Sequence, residues 1–305
     1  MNEVLITTTT FGKENRLLLD LCKRGKLKII LNPYNRKIKP EELIELGKGV
    51  TGIIAGTELI TQEVLLKLPK LKVISRCGTG LDNIDLDAAK RLGIKVFNTP
   101  DAPICAVAEL TVGLILNLLR KVYQADHNLK NGVWEKPMGN LLYGKKVGII
   151  GFGRIGKKVA KILSVFKVRI AFYDVAKKPS LMNCSRKGLK DILRWADIVT
   201  VHVSASKKRR YVIGKKELNL MRKGSWLINL SRGGVVDEGA LYHALKTEHL
   251  SGAALDVFEN EPYVGCLRQL NNVILTPHIG SYAKEARIKM EIEAVENLLK
   301  NLKGV

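Results

Sequence analysis

The stretch VGIIGFGRIGKKVA at residues 147–160 admits few folds. An apolar run leads into Gly151, Gly153 and Gly156, and RIGKKVAKIL continues as a helix, which is the strand, turn and helix setting that gives a glycine triplet meaning. The first glycine permits a tight turn, the second lets a pyrophosphate approach the main chain, and the third lets helix and strand pack closely. Unpaired N–H groups at the helix start meet the phosphate charge. Asp174 closes the next apolar run, RIAFYD, where a carboxylate accepts hydrogen bonds from the ribose hydroxyls and repels a 2′-phosphate. NAD is therefore favoured over NADP, with Lys177 and Lys178 close enough to blunt the preference. A dinucleotide fold ordinarily opens with this cradle, yet here it lies near the midpoint of 305 residues.

The surroundings are α/β throughout. Short apolar runs VLITT (4–8), KIIL (28–31), GIIA (52–55) and KVISR (72–76) read as buried strands separated by helical stretches, so the first hundred or so residues form an α/β unit of their own. Residues 107–119, VAELTVGLILNLL, are apolar almost all round and predict a buried helix at an interdomain or subunit interface. Further strands follow at KVGIIG (146–151), RIAFYD (169–174), IVTVHV (198–203), SWLINL (225–230), GAALDV (252–257) and NVILTP (272–277), a complete doubly wound sheet. The segment after Gly280 reads as a long terminal helix.

Composition narrows the class. The chain is 46% hydrophobic and 26% charged, with no apolar run of membrane-spanning length and no secretory pattern at its start, which predicts a cytoplasmic protein. Five scattered cysteines form no CxxC pair, so neither a disulfide framework nor a metal site is expected. The net charge of +22 is spread in lysine pairs with one tight run, Lys207-Lys208-Arg209-Arg210, and no nucleic-acid-binding motif accompanies it. A basic surface that steers small anions inward is the reading adopted, with nucleic acid not expected as a partner.

Three segments beyond the cradle carry chemistry. NLSRGGVVDEGAL places Arg232 after one strand, DVFENEP places Glu261 after another, and LTPHIGS places His278 after a third. In a parallel sheet the carboxyl ends share one edge, so the three converge where a nicotinamide must lie. Arginine, glutamate and histidine beside a hydride carrier point to a dehydrogenase of 2-hydroxy acids.

With GIIGFGRIG, LSRGGVVDEGAL, GAALDVFENEP and TPHIG in this order, the chain resembles the D-isomer-specific 2-hydroxyacid dehydrogenases from about Gly52 to Ser281, most closely their D-3-phosphoglycerate dehydrogenase branch of serine biosynthesis. The resemblance implies two Rossmann-like or flavodoxin-like doubly wound domains, with the NAD domain (100–280) inserted into the substrate domain (1–99 plus 281–305). That insertion explains the central cradle. It implies His278 as proton donor and acceptor, Glu261 holding the imidazole and favouring its charged form, and Arg232 gripping the substrate carboxylate. Arg76 and the main chain of Gly78, Thr79 and Gly80 would complete the substrate site. Cofactor contacts would fall on Thr79, Gly151, Gly153, Arg154, Ile155, Gly156, Asp174, Val203, Leu230, Asp256, Gly280 and Ser281. The apolar helix after Ala106 would be the arm of a homodimer, and lobe closure would exclude water.

The sequence departs from the family pattern in several places. IIAGTELIT (53–61) lacks the arginine that suits a substrate phosphate in animal-type phosphoglycerate dehydrogenases, Pro103-Ile104 replaces a polar Asn-Ser pair, and VHVSASKKRRYVIG (201–214) lacks a proline and adds the basic run, which could grip a phosphate. No regulatory modules follow, so serine feedback is not expected. Glu261 argues against a formate dehydrogenase, where glutamine stands. The alternatives left open are another small 2-hydroxy acid such as glycerate, or an NAD-sensing corepressor whose basic charge serves assembly on DNA.

Overall fold

The computed structural model describes residues 2–15, 17–179, 184–204 and 211–302; the basic run at 207–210 lies outside them. The chain divides into two compact units, Met1–Pro103 with Ser281–Val305, and Ile104–Gly280.

The first unit begins with β1 (Asn2–Ile6), α1 (Leu17–Arg24), β2 (Leu27–Leu31), α2 (Pro40–Gly47), β3 (Gly52–Ala55), α3 (Gln62–Leu66), β4 (Val73–Arg76), α4 (Leu86–Arg91) and β5 (Lys95–Asn98). Its strands form a parallel five-stranded sheet in the order β2-β1-β3-β4-β5, the flavodoxin-like arrangement. Strand alternation divides the core: Leu5, Ile53 and Ile74 pack with Leu43, Val64 and Ala88 on one face, while Val4, Ile6, Ile54 and Val73 pack with Leu18, Met290 and Val295 on the other. Side-chain caps start two of the short helices, where Thr61 accepts the Val64 N–H and Asp85 accepts the Ala88 N–H.

The second unit runs α5 (Ile104–Arg120), α6 (Val122–Lys130), β6 (Lys146–Ile150), α7 (Arg154–Leu163), β7 (Arg169–Tyr173), β8 (Ser185–Arg186), α8 (Leu189–Trp195), β9 (Ile198–Val201), α9 (Lys215–Leu220), β10 (Ser225–Asn229), α10 (Glu238–Lys246), β11 (Leu250–Leu255) and β12 (Val273–Leu275). The chain then returns to the first unit through α11 (Lys284–Leu302). The seven strands are parallel in the order β12-β11-β10-β9-β6-β7-β8, so the strand order reverses at β6, the position that leads into the glycine cradle. Val147 and Ile149 face α5 and α7, whereas Ile150, Val199 and Leu227 face the α8–α10 side. α7 turns Val159, Ala160 and Leu163 inward, and Phe152 of the cradle stacks on Phe172 of β7 at 3.9 Å between ring centres. Burying each of the larger ones, Val159, Leu163, Phe152 and Phe172, contributes about 1.5–3 kcal/mol.

The apolar helix read at 107–119 is buried, but within its own unit: α5 packs on α7 and on the sheet, with Val107, Val112, Leu114, Ile115, Leu118 and Leu119 in the core. Its buried apolar face is therefore taken up by its own unit. A run of apolar side chains just downstream, Leu129, Trp134, Met138, Leu141 and Tyr143, faces solvent. β5 and β8 had no clear sequence signature; both are short strands at sheet edges.

Candidate active site

The cradle's glycines do different jobs. Gly151 sits at φ +92°, and a Cβ there would collide with the His202 carbonyl; a Cβ on Gly156 would collide with the Gly151 carbonyl oxygen. Neither position tolerates a side chain, because β6, β9 and α7 meet there without space. A Cβ on Gly153, the N-cap of α7, would meet nothing within 4 Å. The open face over the helix start is the space a pyrophosphate needs, so these residues fit a dinucleotide.

Asp174 follows β7. Its Oδ2 accepts the Phe152 N–H at 2.8 Å and its Oδ1 accepts the Ala176 N–H at 2.9 Å, which ties the carboxylate to the cradle turn. A carboxylate has about four acceptor positions, so two main-chain bonds leave capacity for the ribose hydroxyls. Arg154 is the exposed first residue of α7, and Ile155 packs against the core beneath it. Val203 lies under the turn, its Cγ1 2.9 Å from where a Gly151 Cβ would be. Leu230 is 6% exposed and belongs to the core, so only its main chain can serve a ligand.

Arg232, Glu261 and His278 follow β10, β11 and β12, three neighbouring strands, at the same sheet edge. Glu261 and His278 meet directly: Nδ1 of His278 is 2.9 Å from Oε2 and 3.2 Å from Oε1, and Oε1 also accepts the Phe258 N–H at 3.1 Å. Arg232 is half-buried; its Nη1 donates to the Ser231 carbonyl at 2.7 Å, and Asn229 Nδ2 donates to the Arg232 carbonyl at 3.2 Å.

Asp256 has a role that spacing did not reveal. It is buried, and its Oδ1 accepts the Thr276 hydroxyl at 2.5 Å and the Ile279 N–H at 2.8 Å, while Oδ2 accepts the Gly280 N–H at 2.7 Å. All three donors belong to the loop that carries His278. Burial pushes the Asp256 carboxyl up from its ordinary value, against the pull of these donors.

Arg76, Gly78, Thr79, Gly80 and Ser281 belong to the other unit. Arg76 Nη1 donates to the Cys77 carbonyl beside Gly78. Gly78 donates its N–H to Thr99 Oγ1 at 2.8 Å and to the Arg76 carbonyl at 3.0 Å, so this group, expected to bind a substrate anion, is already engaged; Thr79 and Gly80 carry the remaining loop N–H groups. The strand order of this sheet reverses between β1 and β3, and there Thr7 Oγ1 donates to Glu58 Oε1 at 2.5 Å. Glu58, missed in the sequence although GTEL shows it, is 2% exposed, and burial pushes its carboxyl up, countered in part by the hydrogen bonds from the Thr7 hydroxyl and the loop main chain.

Among the described residues no group of three or more His, Cys, Asp or Glu side chains could hold a metal, no cysteine is in a disulfide, and no helix is long and apolar enough to cross a membrane.

Residues 112–280 match the family model described as "D-isomer specific 2-hydroxyacid dehydrogenase, NAD binding domain". The chain is 42% identical over 273 residues to the D-3-phosphoglycerate dehydrogenase of Methanocaldococcus jannaschii, a match covering 87% of this chain but only 52% of that enzyme, so the chain spans about half its length. It is 42% identical over 260 residues to the glyoxylate reductase of Thermofilum pendens, covering 81% of this chain and 77% of that one. The structure of Aquifex aeolicus D-lactate dehydrogenase complexed with NAD and lactic acid superposes with a TM-score of 0.86 at 29% identity, covering 99% of this chain and 96% of that one. On the cradle and on these matches together, the chain belongs to the D-isomer specific 2-hydroxyacid dehydrogenase family, and its Ile104–Gly280 unit carries the NAD-binding domain.

Proposed function

We propose that the chain interconverts a small, unphosphorylated 2-keto acid, of the glyoxylate or hydroxypyruvate kind, and its D-2-hydroxy acid. The observation that carries this choice of substrate is Glu58. Ligands of open parallel sheets bind outside the carboxyl ends of the strands where the strand order reverses. In the first unit that position holds a buried acid, Glu58, in the loop IIAGTELIT, which has no basic residue. Such a site offers little net positive charge to a substrate phosphate.

His278 gives a proton to the carbonyl oxygen in reduction and takes it back in oxidation. Glu261, an acceptor only when ionised, receives the Nδ1–H and leaves Nε2 for the substrate. The fork of donors on Arg232 grips the carboxylate and polarises the carbonyl. NAD supplies the two-electron hydride chemistry at the carbon that bears the oxygen. The cradle and Asp174 hold the dinucleotide, with NAD preferred over NADP.

The assay is loss of NADH absorbance against glyoxylate, hydroxypyruvate, pyruvate, 2-ketoglutarate and 3-phosphohydroxypyruvate, with His278→Ala as control. Glyoxylate or hydroxypyruvate should exceed the phosphorylated acid in kcat/KM by about tenfold or more, the size of a 1.4 kcal/mol preference. A best rate with 3-phosphohydroxypyruvate would overturn the choice and leave Arg76 as the phosphate ligand. NADH binding with no turnover of any acid, joined to salt-dependent DNA capture, would favour the corepressor reading that the +22 charge raises.

We also infer a homodimer built on the exposed apolar segment downstream of α5, where Trp134 is 80% and Met138 85% solvent-exposed. Side chains of this size left in water are costly unless a partner covers them.

A further inference from the structure

Basic residues that lie far apart in the chain meet at one end of the second sheet. β10, β9, β6 and β7 are neighbours and parallel, so the segments that lead into them share its amino edge. Those segments read MRKG (221–224), RWAD (194–197), LYGKK (142–146) and SVFKVR (164–169), seven Lys or Arg against a single acid. Main-chain bonds stitch them side by side: the Trp226 N–H donates to the Asp197 carbonyl at 3.0 Å, the Asp197 N–H to the Lys146 carbonyl at 2.8 Å, and the Arg169 N–H to the Lys145 carbonyl at 2.9 Å. Four neighbouring strands measure about 14 Å across. Charge that reads as diffuse along the sequence is therefore a row, which Glu248, just before β11, ends on one side.

The one acid in the row is already engaged. Asp197 Oδ1 lies 2.5 Å from Arg222 Nη1, and its Oδ2 accepts the Lys146 N–H at 2.9 Å. Lys145 and Lys146 are half-buried, with their ammonium groups 5.6 Å and 5.9 Å from the centres of the Trp226 and Trp195 rings, which fixes where those charges stand. Lys167, Arg169 and Lys223 are exposed. The carboxyl edge of the same sheet mixes its signs, with Asp174, Asp256 and Glu261 beside Arg232. A partner for the amino edge must bring evenly spaced negative charge, and a nucleic-acid strand brings a phosphate about every 3.4 Å, so the row faces about four of them. Strand starts and turns, unlike a projecting helix or ribbon, meet phosphates and leave base edges unread.

We propose that the amino edge of the second sheet binds nucleic acid through its phosphates, without regard to base sequence. The strands are four or five residues long, so this surface lies about 15 Å from the edge that carries Arg232 and His278. Nucleic acid can therefore sit there while the dinucleotide cradle is filled. Neither the choice of keto acid nor turnover itself bears on this binding.

The test is fluorescence anisotropy of a labelled oligouridylate of about 20 nucleotides, titrated with the whole chain at salt from about 50 to 200 mM. Four phosphate contacts on a single strand should weaken binding about 50-fold over that range, a slope of about −3 for log affinity against log salt. Lys167→Ala/Arg169→Ala/Lys223→Ala should weaken binding about tenfold or more at low salt and bring the slope to about −1, with NADH affinity and thermal midpoint unchanged. The control takes the same charge from the first unit: Lys48, Lys70 and Lys72 are exposed on the segments that lead into β3 and β4, and Lys48→Ala/Lys70→Ala/Lys72→Ala should leave binding within about threefold. Equal weakening by the two triple variants overturns the proposal, because the RNA would then respond to net charge alone. Competition by polyglutamate as strong as that of unlabelled RNA, charge for charge, overturns it in favour of an acidic protein chain. Absence of binding at the lowest salt overturns it outright and leaves the dinucleotide reading untouched.

Discussion

Nδ1 of His278 lies 2.9 Å from Oε2 of Glu261, although both side chains remain open to solvent, at 42% and 38% of their full exposure. A pair that exposed adds little to stability, because water screens the attraction and two side chains lose freedom to form it. Its value lies in orientation: with Nδ1–H given to the carboxylate, Nε2 faces the reacting oxygen. His278→Ala should lower kcat by about 10²–10⁴-fold, the usual worth of a positioned general acid or base. Glu261→Gln should cost about 10–10²-fold, a smaller loss because the amide oxygen can still accept the Nδ1–H but brings no charge. Neither substitution should shift the thermal midpoint by more than a degree or so, read by circular dichroism, since a surface pair is worth about 0–1 kcal/mol. A large loss of stability with intact turnover would contradict this assignment.

Asp256 acts one step behind His278. The imidazole residue has φ +55°, a left-handed conformation that a residue with a Cβ adopts at a cost, and the neighbouring Ile279 and Gly280 N–H groups are fixed by the Asp256 carboxylate. Asp256→Ala would leave those donors without their buried acceptor, each at about 1–3 kcal/mol. Unfolding in urea should show a loss of about 2–5 kcal/mol, with turnover falling as the His278 loop loosens. Asp256→Asn, which keeps one acceptor oxygen, should fall between Ala and the native protein on both readouts.

The three cradle glycines should separate stability from binding. Gly153→Ala puts a methyl group into open space, so the protein should melt within about two degrees of the native chain while its NADH affinity drops about tenfold or more. Gly151→Ala and Gly156→Ala drive a Cβ into a carbonyl oxygen and should unfold the unit at distinctly lower temperature. Equal thermal losses at all three positions would mean that the open face above α7 is not the binding surface.

Most of the fold is legible because its signals are local. Buried parallel strands are short unbroken apolar runs, and the cradle has a fixed spacing tied to a strand and a helix. The gathering of Arg232, Glu261 and His278 at one sheet edge was legible for the same reason, since each follows a recognisable strand. What escaped depends on who meets whom. Nothing in the residues around Asp256 says that its carboxylate binds the main chain of the His278 loop 23 residues later. Nothing in RCGTG says that Thr99 has already taken the Gly78 N–H. α5 was read as a buried helix at an interdomain or subunit interface, and the structure buries it inside its own unit, because periodicity reports an apolar surface, not what covers it. β5 and β8, with half-buried or exposed side chains, lack the apolar run that marks the other strands.

The dimer surface has a simple test. Trp134→Arg with Met138→Arg places two charges in the middle of the exposed apolar segment, where neither side chain supports the chain's own core. Light scattering coupled to size exclusion should find the native protein at twice the 33.9 kDa chain mass and the double variant at the chain mass, with an unchanged far-ultraviolet spectrum. A native protein that runs as a monomer at micromolar concentration removes the dimer from the proposal.

His202 makes stability depend on pH in a predictable direction. It follows β9, its Nε2 lies 2.9 Å from Thr200 Oγ1, and its Nδ1 is shut from solvent with no hydrogen-bond partner among the described residues. Burial lowers its pKa from 6.5 to about 4. Between those values the unfolded chain holds a proton that the folded chain does not, so unfolding free energy rises with pH across the window. The contribution is complete above pH 6.5 and is lost as pH falls toward 4. A shift of that size corresponds to at most about 3 kcal/mol, trimmed because the residue as a whole is only half-buried. Buried acids act with the opposite sign: Asp256, Glu58 and Glu291 are all pushed up by burial, and they stabilise the fold as pH falls. The informative quantity is therefore a difference. His202→Gln keeps a polar side chain that cannot take the proton, so the native protein should lose stability relative to this variant as the pH is lowered from 6.5 toward 4, in parallel urea titrations. Parallel pH profiles for the two proteins would show that the His202 ring reaches water in the folded state and titrates there as it does in the unfolded chain.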